Sequence, residues 1–368
     1  MSNPMKTKNV FLLLILLALT SSLFVIFGGN QQTSIQSIVS ETHKRFNKLK
    51  QLKENLNQPE EKRLLGSEKH LALLGFDQNP LLYPHSLWIN TSVPAIVTYV
   101  RQPGHEKQAV GFLKNVQHFF PNITILVYNL GLDPENIQIV QNNCDSTRCT
   151  ILPFDLEIFP SHVSEDVSHA FRPLIIQDAL NRVGGVFFLE CNLRFLKPVK
   201  FSLKAPLGTN TQKGNGIIAW TTRQATSSLT HPNMFGYFQT TSENFLFLPM
   251  VEATKLLIYN TADIHYSIML PWVQCALTED CIFPIGAQSS GCHFNKKPQY
   301  RYSGCHGYDA SALNIVLGLK FDYKASLYTY SPKQSQEIEP LFKEVSRADA
   351  LFEFNSLEDN STTLPTLK

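Results

Sequence analysis

The chain lacks the commonest catalytic signatures. Its 368 residues contain no G-x-S-x-G elbow, no H-E-x-x-H pair, no G-x-x-x-x-G-K-[ST] loop and no G-x-G-x-x-G. These absences remove the simple serine hydrolases, the zincins, the P-loop enzymes and the dinucleotide-binding oxidoreductases. A strong charge of one sign is missing too: 32 Lys+Arg stand against 30 Asp+Glu, a net charge of +2. Ten of the basic and five of the acidic side chains fall in residues 1–70, leaving 22 basic and 25 acidic beyond. A body with a slight acidic excess has no electrostatic reason to seek phosphate backbones, so no nucleic-acid partner is expected. There is no repeat of fixed period, and no cysteine precedes Cys144. With 43% apolar and 11% aromatic residues, the chain has ample material for a large core.

One long apolar run is present. Val10 to Phe27 is eighteen residues without a charge, and at ~1.5 Å per residue it makes ~27 Å of helix, close to one hydrocarbon thickness. Lys6 and Lys8 precede it and no acid does, so residues 1–9 are expected in the cytosol and everything after Phe27 in the lumen. The run is longer than the core of a cleaved signal and no clear small-x-small site follows it, which favours a type II signal anchor over 10–27. Residues 28–70 hold a single aromatic, Phe46, and are too polar for a core, so they read as a helical stem. Ile35, Ile38, Thr42, Leu49, Leu52 and Leu56 follow steps of three and four with Arg45 breaking the series, a pattern shared by a short homodimerising coiled coil and by a solvated helix.

The remainder, 71–340, reads as one lumenal α/β domain, with 341–368 as a C-terminal tail that is polar and frays past Glu353. Ala95 to Arg101, Ile123 to Leu132, the run CTILPFDL from Cys149 and Val186 to Cys191 read as strands. Between them Lys107 to Phe120, a helix opened by Asp133 and Pro134, and Phe171 to Val183 carry helical periodicity, the last ended by Gly184-Gly185. This rhythm predicts a mostly parallel, doubly covered sheet whose ligands bind beyond the carboxyl ends of the strands. Further on, Gly216 to Thr222 reads as a strand. Glu252 to Tyr259, Met269 to Leu277 and Asp309 to Leu319 read as helices, the last opened by an acidic cap.

The lumenal compartment has two further signs. Sequons stand at Asn90, Asn122 and Asn360, all after the span. Spacing alone does not fix the connectivity of the seven cysteines, but their clustering leads us to expect Cys144 with Cys149, Cys275 with Cys281 and Cys292 with Cys305, leaving Cys191 as a thiol. Cys292-His293 and Cys305-His306 together also form a zinc ligand set, but adjacent Cys-His ligands strain the geometry and a disulfide is simpler.

Chemistry is expected at the acidic strand end FLECNLRF, Phe188 to Phe195, where a carboxylate just past a strand can hold a divalent cation against two phosphate oxygens. Here the chain resembles the GT-A class of Golgi glycosyltransferases. It is similar in particular to an uncharacterised animal family of type II membrane, GT-A-like proteins, through the blocks FRPLIIQDAL with GGVFFLECNLRF, HPNMFGYF, PWVQCALTEDCIFPIG and YSGCHGYDASALNIVL. The resemblance extends over most of Ala95 to Leu319. It implies a nucleotide-sugar fold and a transferase moving sugar from a nucleotide-sugar donor to a lumenal glycan or glycoprotein in the Golgi or another secretory membrane.

The general pattern has two aspartates where this chain has Glu190 and Asn192, so metal affinity should fall, and the resemblance leaves open an altered or metal-independent site. The expected roles are Mn²⁺ or Mg²⁺ held by Glu190, Asn192 and His306, a donor site of Arg172, Glu190 and Asn192, and Asp309 as catalytic base alongside Glu190. Each has a plainer alternative: Glu190 pairing only with Arg194, Arg172 in a surface ion pair, Asp309 merely capping its helix. The rival function, favoured by Asn192 in place of an acid, is a non-catalytic lumenal protein that keeps the fold and binds a glycan or a partner.

Overall fold

In the computed structural model, residues 62–64, 66–76, 94–198, 215–295, 297–330 and 340–362 are described. The cytoplasmic tail, the Val10–Phe27 anchor, the coiled-coil positions of the stem and Asn90 lie outside them. Contacts divide the chain into Met1–Glu61 and Lys62–Lys368, and the second unit is the one described below. Among its described residues no helix is long and apolar enough to cross a membrane.

Strand side chains alternate sides. In β1, Ala95–Val100, Ile96 and Val100 enter one apolar layer while Val97 and Tyr99 enter the other. Both sides are buried, as expected of a sheet covered on two faces. A helix α1, Glu68–Leu73, precedes it, and then come α2 (His105–Phe119), β2 (Ile125–Asn129), α3 (Pro134–Asn142), β3 (Cys149–Pro153), α4 (Phe171–Val183) and β4 (Gly185–Leu189). β5 (Leu193–Phe195), β6 (Ile217–Ala225), β7 (Pro249–Tyr259), α5 (Leu270–Leu277), α6 (Asp309–Lys320), β8 (Phe342–Glu344) and α7 (Arg347–Thr362) follow, with shorter helical turns between them. The central sheet has the order β3-β2-β1-β4-β7-β6, with β3, β2, β1 and β4 parallel and β7 antiparallel to both its neighbours. α2 packs Ala109, Phe112, Leu113 and Val116 on one face. α4, α5 and α6 cover the other with Leu174, Ile175, Trp272, Val273, Leu313 and Ile315. The mostly parallel, doubly covered α/β sheet is therefore present.

Local signals act as expected in several places. Asp133 caps α3 by accepting from the Asn136 amide at 3.0 Å, with Pro134 in the first turn. α4 ends at Gly184, whose φ of +74° is open to glycine at little cost. The disulfides Cys144–Cys149, Cys275–Cys281 and Cys292–Cys305 are formed, and Cys191 is a buried free thiol. The thiols of a zinc set are thus consumed. Asn122 is exposed just before β2.

Three expectations give way. Glu252 to Tyr259, expected as a helix, is the greater part of β7. Its alternation slips phase: Val251 and Ala253, then Leu256 and Ile258, share one layer. The slip coincides with an irregularity in which Ala219 pairs with Leu256 but Thr221 with Val251. A bulge of this kind breaks period two and leaves apolar residues at near-helical spacing. The second departure is Asp309, which does not cap α6; Tyr308 occupies the cap with φ +49° and no side-chain cap bond. The third concerns 341–368, expected as a tail. It holds β8, paired antiparallel with β5, and α7, whose Glu353 accepts from Arg194 at 3.0 Å. Gly111 of α2 has no side chain where Arg194 and Glu353 pass.

Buried Asn314 of α6 fastens this helix to β7, its amide oxygen accepting from Val251 N at 2.7 Å and its nitrogen donating to Val251 O at 2.8 Å. Asn314→Ala leaves both backbone groups unpartnered. The expected cost is roughly 2–5 kcal/mol in denaturant unfolding; a loss below about 0.5 kcal/mol would show that water or a repacked neighbour replaces the bond.

Candidate active site

The chain runs from β1 outward to β2 and β3, then returns to the opposite side of β1 as β4. The carboxyl ends of β1 and β4 are thus the topological switch point, where the reversal of strand order opens a crevice. A cavity of about 330 Å³ lies there. Its wall includes Tyr99 and Arg101 from the end of β1, His105 from α2, Asp166 and His169 from the loop before α4, and Glu190 and Asn192 from the end of β4.

Beneath it lies an ion network. Arg172, in the first turn of α4 and only 3% exposed, donates one terminal nitrogen to Glu190 and the other to Asp309. Tyr99 OH donates to the same Glu190 oxygen at 3.3 Å. Burial alone would lower the pKa of Arg172, but Asp309 and Glu190 outweigh it and hold the guanidinium charged. Burial lifts the Asp309 carboxyl to about 6 against the pull of Arg172. The Asp309 backbone is gripped as well, its carbonyl accepting from Trp272 Nε1 at 2.9 Å.

The wall carries polar atoms with unmet hydrogen-bonding capacity. Arg101 Nη1, His105 Nδ1 and Asn192 Oδ1 are all buried without a partner. Native interiors rarely leave such atoms alone, so three on one cleft are positions that water or a polar ligand would satisfy. Arg101 is otherwise well placed, with Nε 2.8 Å from Asp166 and its guanidinium 5.0 Å from the Phe171 ring centroid. Burial, then the charges of Arg172 and Arg101, depress His169 to about 3. His105 is lowered by burial and by Arg347. Both imidazoles are neutral at physiological pH.

Among the residues expected from sequence, Glu190 and Asn192 line the cleft. Arg172 does not; it is a buried positioning residue for Glu190 rather than a donor contact. Asp309, 2% exposed and salt-bridged to Arg172, lies beneath the cleft and does not line it. His306 is buried elsewhere, its Nδ1 accepting from the His231 amide at 3.1 Å, and burial lowers it to about 3. It does not join Glu190 as a ligand. Arg194, the alternative partner of Glu190, turns instead to Glu353 and to the carbonyls of Cys191 and Leu193. The sequence reading missed Tyr99, Arg101, His105, Asp166, His169 and Arg347. Tyr99 and Arg101 were within reach, since they end a strand already placed in the parallel sheet.

The donor set does not suit the expected Mn²⁺ or Mg²⁺. Such cations take six or more oxygen ligands, with carboxylates among them. Here the Glu190 carboxylate is already paired with Arg172 and Asp166 with Arg101 and Gln102, Asn192 adds one neutral oxygen, and His306 is absent from the cleft. Among the described residues no three His, Cys, Asp or Glu side chains gather as a cation site.

Neither a family model nor a curated protein matches the chain by sequence. Its folded form has likenesses among solved structures. The galactosyltransferase LgtC, in complex with donor and acceptor sugar analogues, shows 14% identity over 74% of this chain and 97% of its own, with a TM-score of 0.35. An active-site mutant of LgtC gives 0.39, again at 14% identity, over 74% of this chain and 98% of its own. Core-mannan synthase A from Aspergillus fumigatus, in a Mn/GDP form, gives 0.36 at 10% identity over 62% of this chain and 70% of its own. Likeness this loose transfers no residue role.

Removing the guanidinium tests the network. Arg172→Met leaves two carboxylates facing each other under the cleft, and should cost about 3–5 kcal/mol at neutral pH. A carboxyl raised in the folded state contributes stability that is complete below its unfolded pKa near 4 and lost as pH rises through the folded value of about 6. Without Arg172 the folded value rises further and the loss deepens. The penalty, read from urea midpoints, should therefore be larger at pH 8 than at pH 5; equal penalties would show that the carboxylates do not depend on Arg172.

Proposed function

We propose that the protein is a type II, membrane-anchored glycosyltransferase of the Golgi or another secretory membrane, using a nucleotide-sugar donor and a lumenal glycan or glycoprotein acceptor. The observation that carries this reading is the switch-point cleft itself, with partnerless Arg101, His105 and Asn192 atoms on its wall. A diphosphate accepts hydrogen bonds and a ribose or sugar both donates and accepts them, which suits that mixture. Three disulfides accord with an oxidising lumen, as do the exposed Asn122 sequon and the uncharged Val10–Phe27 run. Pairing of two copies through the stem belongs to the same reading.

In the transfer, the anomeric carbon exchanges its bond to a diphosphate oxygen for one to the acceptor hydroxyl oxygen. The electron pair of the broken bond leaves with the diphosphate, and the hydroxyl proton goes to a base. With Asp309 sealed away, the carboxylates on the cleft wall are Glu190 and Asp166. Tyr99 and Arg172 orient Glu190 toward that space. The rival reading, a non-catalytic lumenal binder, draws support from the same Arg172, which leaves Glu190 less basic than a free strand-end acid.

Thermal unfolding of the full chain in detergent with a panel of nucleotide sugars separates the two. Stabilisation by a uridine or guanosine diphosphate sugar is expected. Asn192→Ala should abolish that shift while keeping the unliganded midpoint within about 2 °C, because the side chain has no partner to lose. Stabilisation by free glycans alone would favour the rival.

A further inference from the structure

The cleft receives one charge that its own strands do not supply. Val345 N donates to Asn192 O at 2.8 Å, and Gln108 Nε2 donates to Val345 O at 3.1 Å, so the chain beyond β8 is bolted to the end of β4. Two residues later Arg347 turns into the cleft wall. Its aliphatic stem passes Gly104, where a Cβ would stand 3.5 Å from Arg347 Cδ; with φ +97° that position is left to glycine. Arg347 Nη2 donates to Gln102 Oε1 at 2.6 Å and lies 3.4 Å from His105 Nε2.

Both partners are neutral. The other arginines of the site are committed, Arg172 to Glu190 and Asp309, and Arg101 to Asp166. Among the described residues Arg347 is the cleft guanidinium whose charge no carboxylate balances, and it is exposed to an incoming ligand. A guanidinium offers a planar fork that matches two phosphate oxygens, and it needs no other protein ligands to keep its charge in place. The two carboxylates on this wall are both engaged, Glu190 by Arg172 and Asp166 by Arg101 and Gln102, which leaves neither free for a divalent cation.

We propose that Arg347 is the anion-binding residue of the cleft and stands in for a metal, so that a nucleoside diphosphate binds here without a divalent cation. This rests on the transferase reading and adds to it the charge that stabilises the leaving diphosphate. Arg101, with Nη1 unpartnered, is the second donor in reach of the same wall.

The test is calorimetric titration of UDP and of GDP into the full chain in detergent, once in excess EDTA and once in excess MnCl₂. Expected is binding of one of them with equal affinity in both conditions, weakened about tenfold or more by Arg347→Gln, the loss of a charge-assisted phosphate contact. Arg301→Gln, an exposed arginine outside the cleft, should leave the affinity unchanged, and all three proteins should unfold at the same temperature. Binding that requires Mn²⁺, or metal-free binding indifferent to Arg347→Gln, overturns the proposal and leaves the transferase reading standing. Failure of both nucleotides to bind, with and without Mn²⁺, removes the transferase reading and the proposal with it.

Discussion

A guanidinium cut off from water is tolerable only where acceptors of opposite charge meet it, and Arg172 imposes that condition on the whole site. Its desolvation costs several kcal/mol, offset when both ends of the fork find carboxylates. Three separate pieces of chain must then arrive together: the first turn of α4, the tip of β4 with Glu190 and the first turn of α6 with Asp309. Asp309 is held from two further sides, its amide by Ser168 O at 3.4 Å and its carbonyl by Trp272 Nε1 at 2.9 Å. Beside it Tyr308 sits at φ +49°, a backbone conformation that costs a bulky residue about 1–3 kcal/mol and persists only where its surroundings over-determine it. The strain lies where the network needs α6 to begin.

This explains how charges resembling a metal site come to be arranged differently. In the sequence, Glu190, Asn192, His306 and Asp309 could be drawn together as cation ligands and a base. In the fold the cation among them is Arg172, so Glu190 meets the cleft as a carboxylate already paired and hydrogen-bonded by Tyr99. Asp309 lies on the far side of that guanidinium. Its carboxyl answers to burial and to Arg172, not to anything entering the cleft.

Legibility followed the range of the interactions involved. Where a few neighbouring residues decide the outcome, the sequence reading held: α4 from Phe171 to Val183, the Asp133 cap, the Gly184 stop and disulfides between cysteines 5, 6 and 13 apart. The cleft at the strand tips followed from the α/β rhythm, which made Glu190 and Asn192 accessible to inference. β7 was misread because a bulge opposite β6 breaks its alternation, and that bulge is a property of the pair, not of either strand. Arg172 reads from sequence as a donor contact or a surface ion pair and Asp309 as a base or a cap; their buried pairing with each other is not legible, since 137 residues separate them. Nothing around Arg347 marks it; a polar helix start looks the same wherever it docks.

The C-terminal segment is where these long-range dependences converge. β8 pairs with β5, directly after the Glu190 turn, and the Asn192 carbonyl, the Gln108 amide and the buried Arg194 guanidinium all find partners on residues 345–353. Without those partners Arg194 would be a second buried cation resting on backbone carbonyls and lacking a carboxylate, and the turn after β4 would lose the bond that fixes Asn192. The composition of the cleft wall and the docking of α7 are therefore one structural condition. The tip of β4 provides Glu190 and Asn192, the start of α7 brings Arg347 to the same cleft wall, and Arg194 joins the two by binding both the turn and α7.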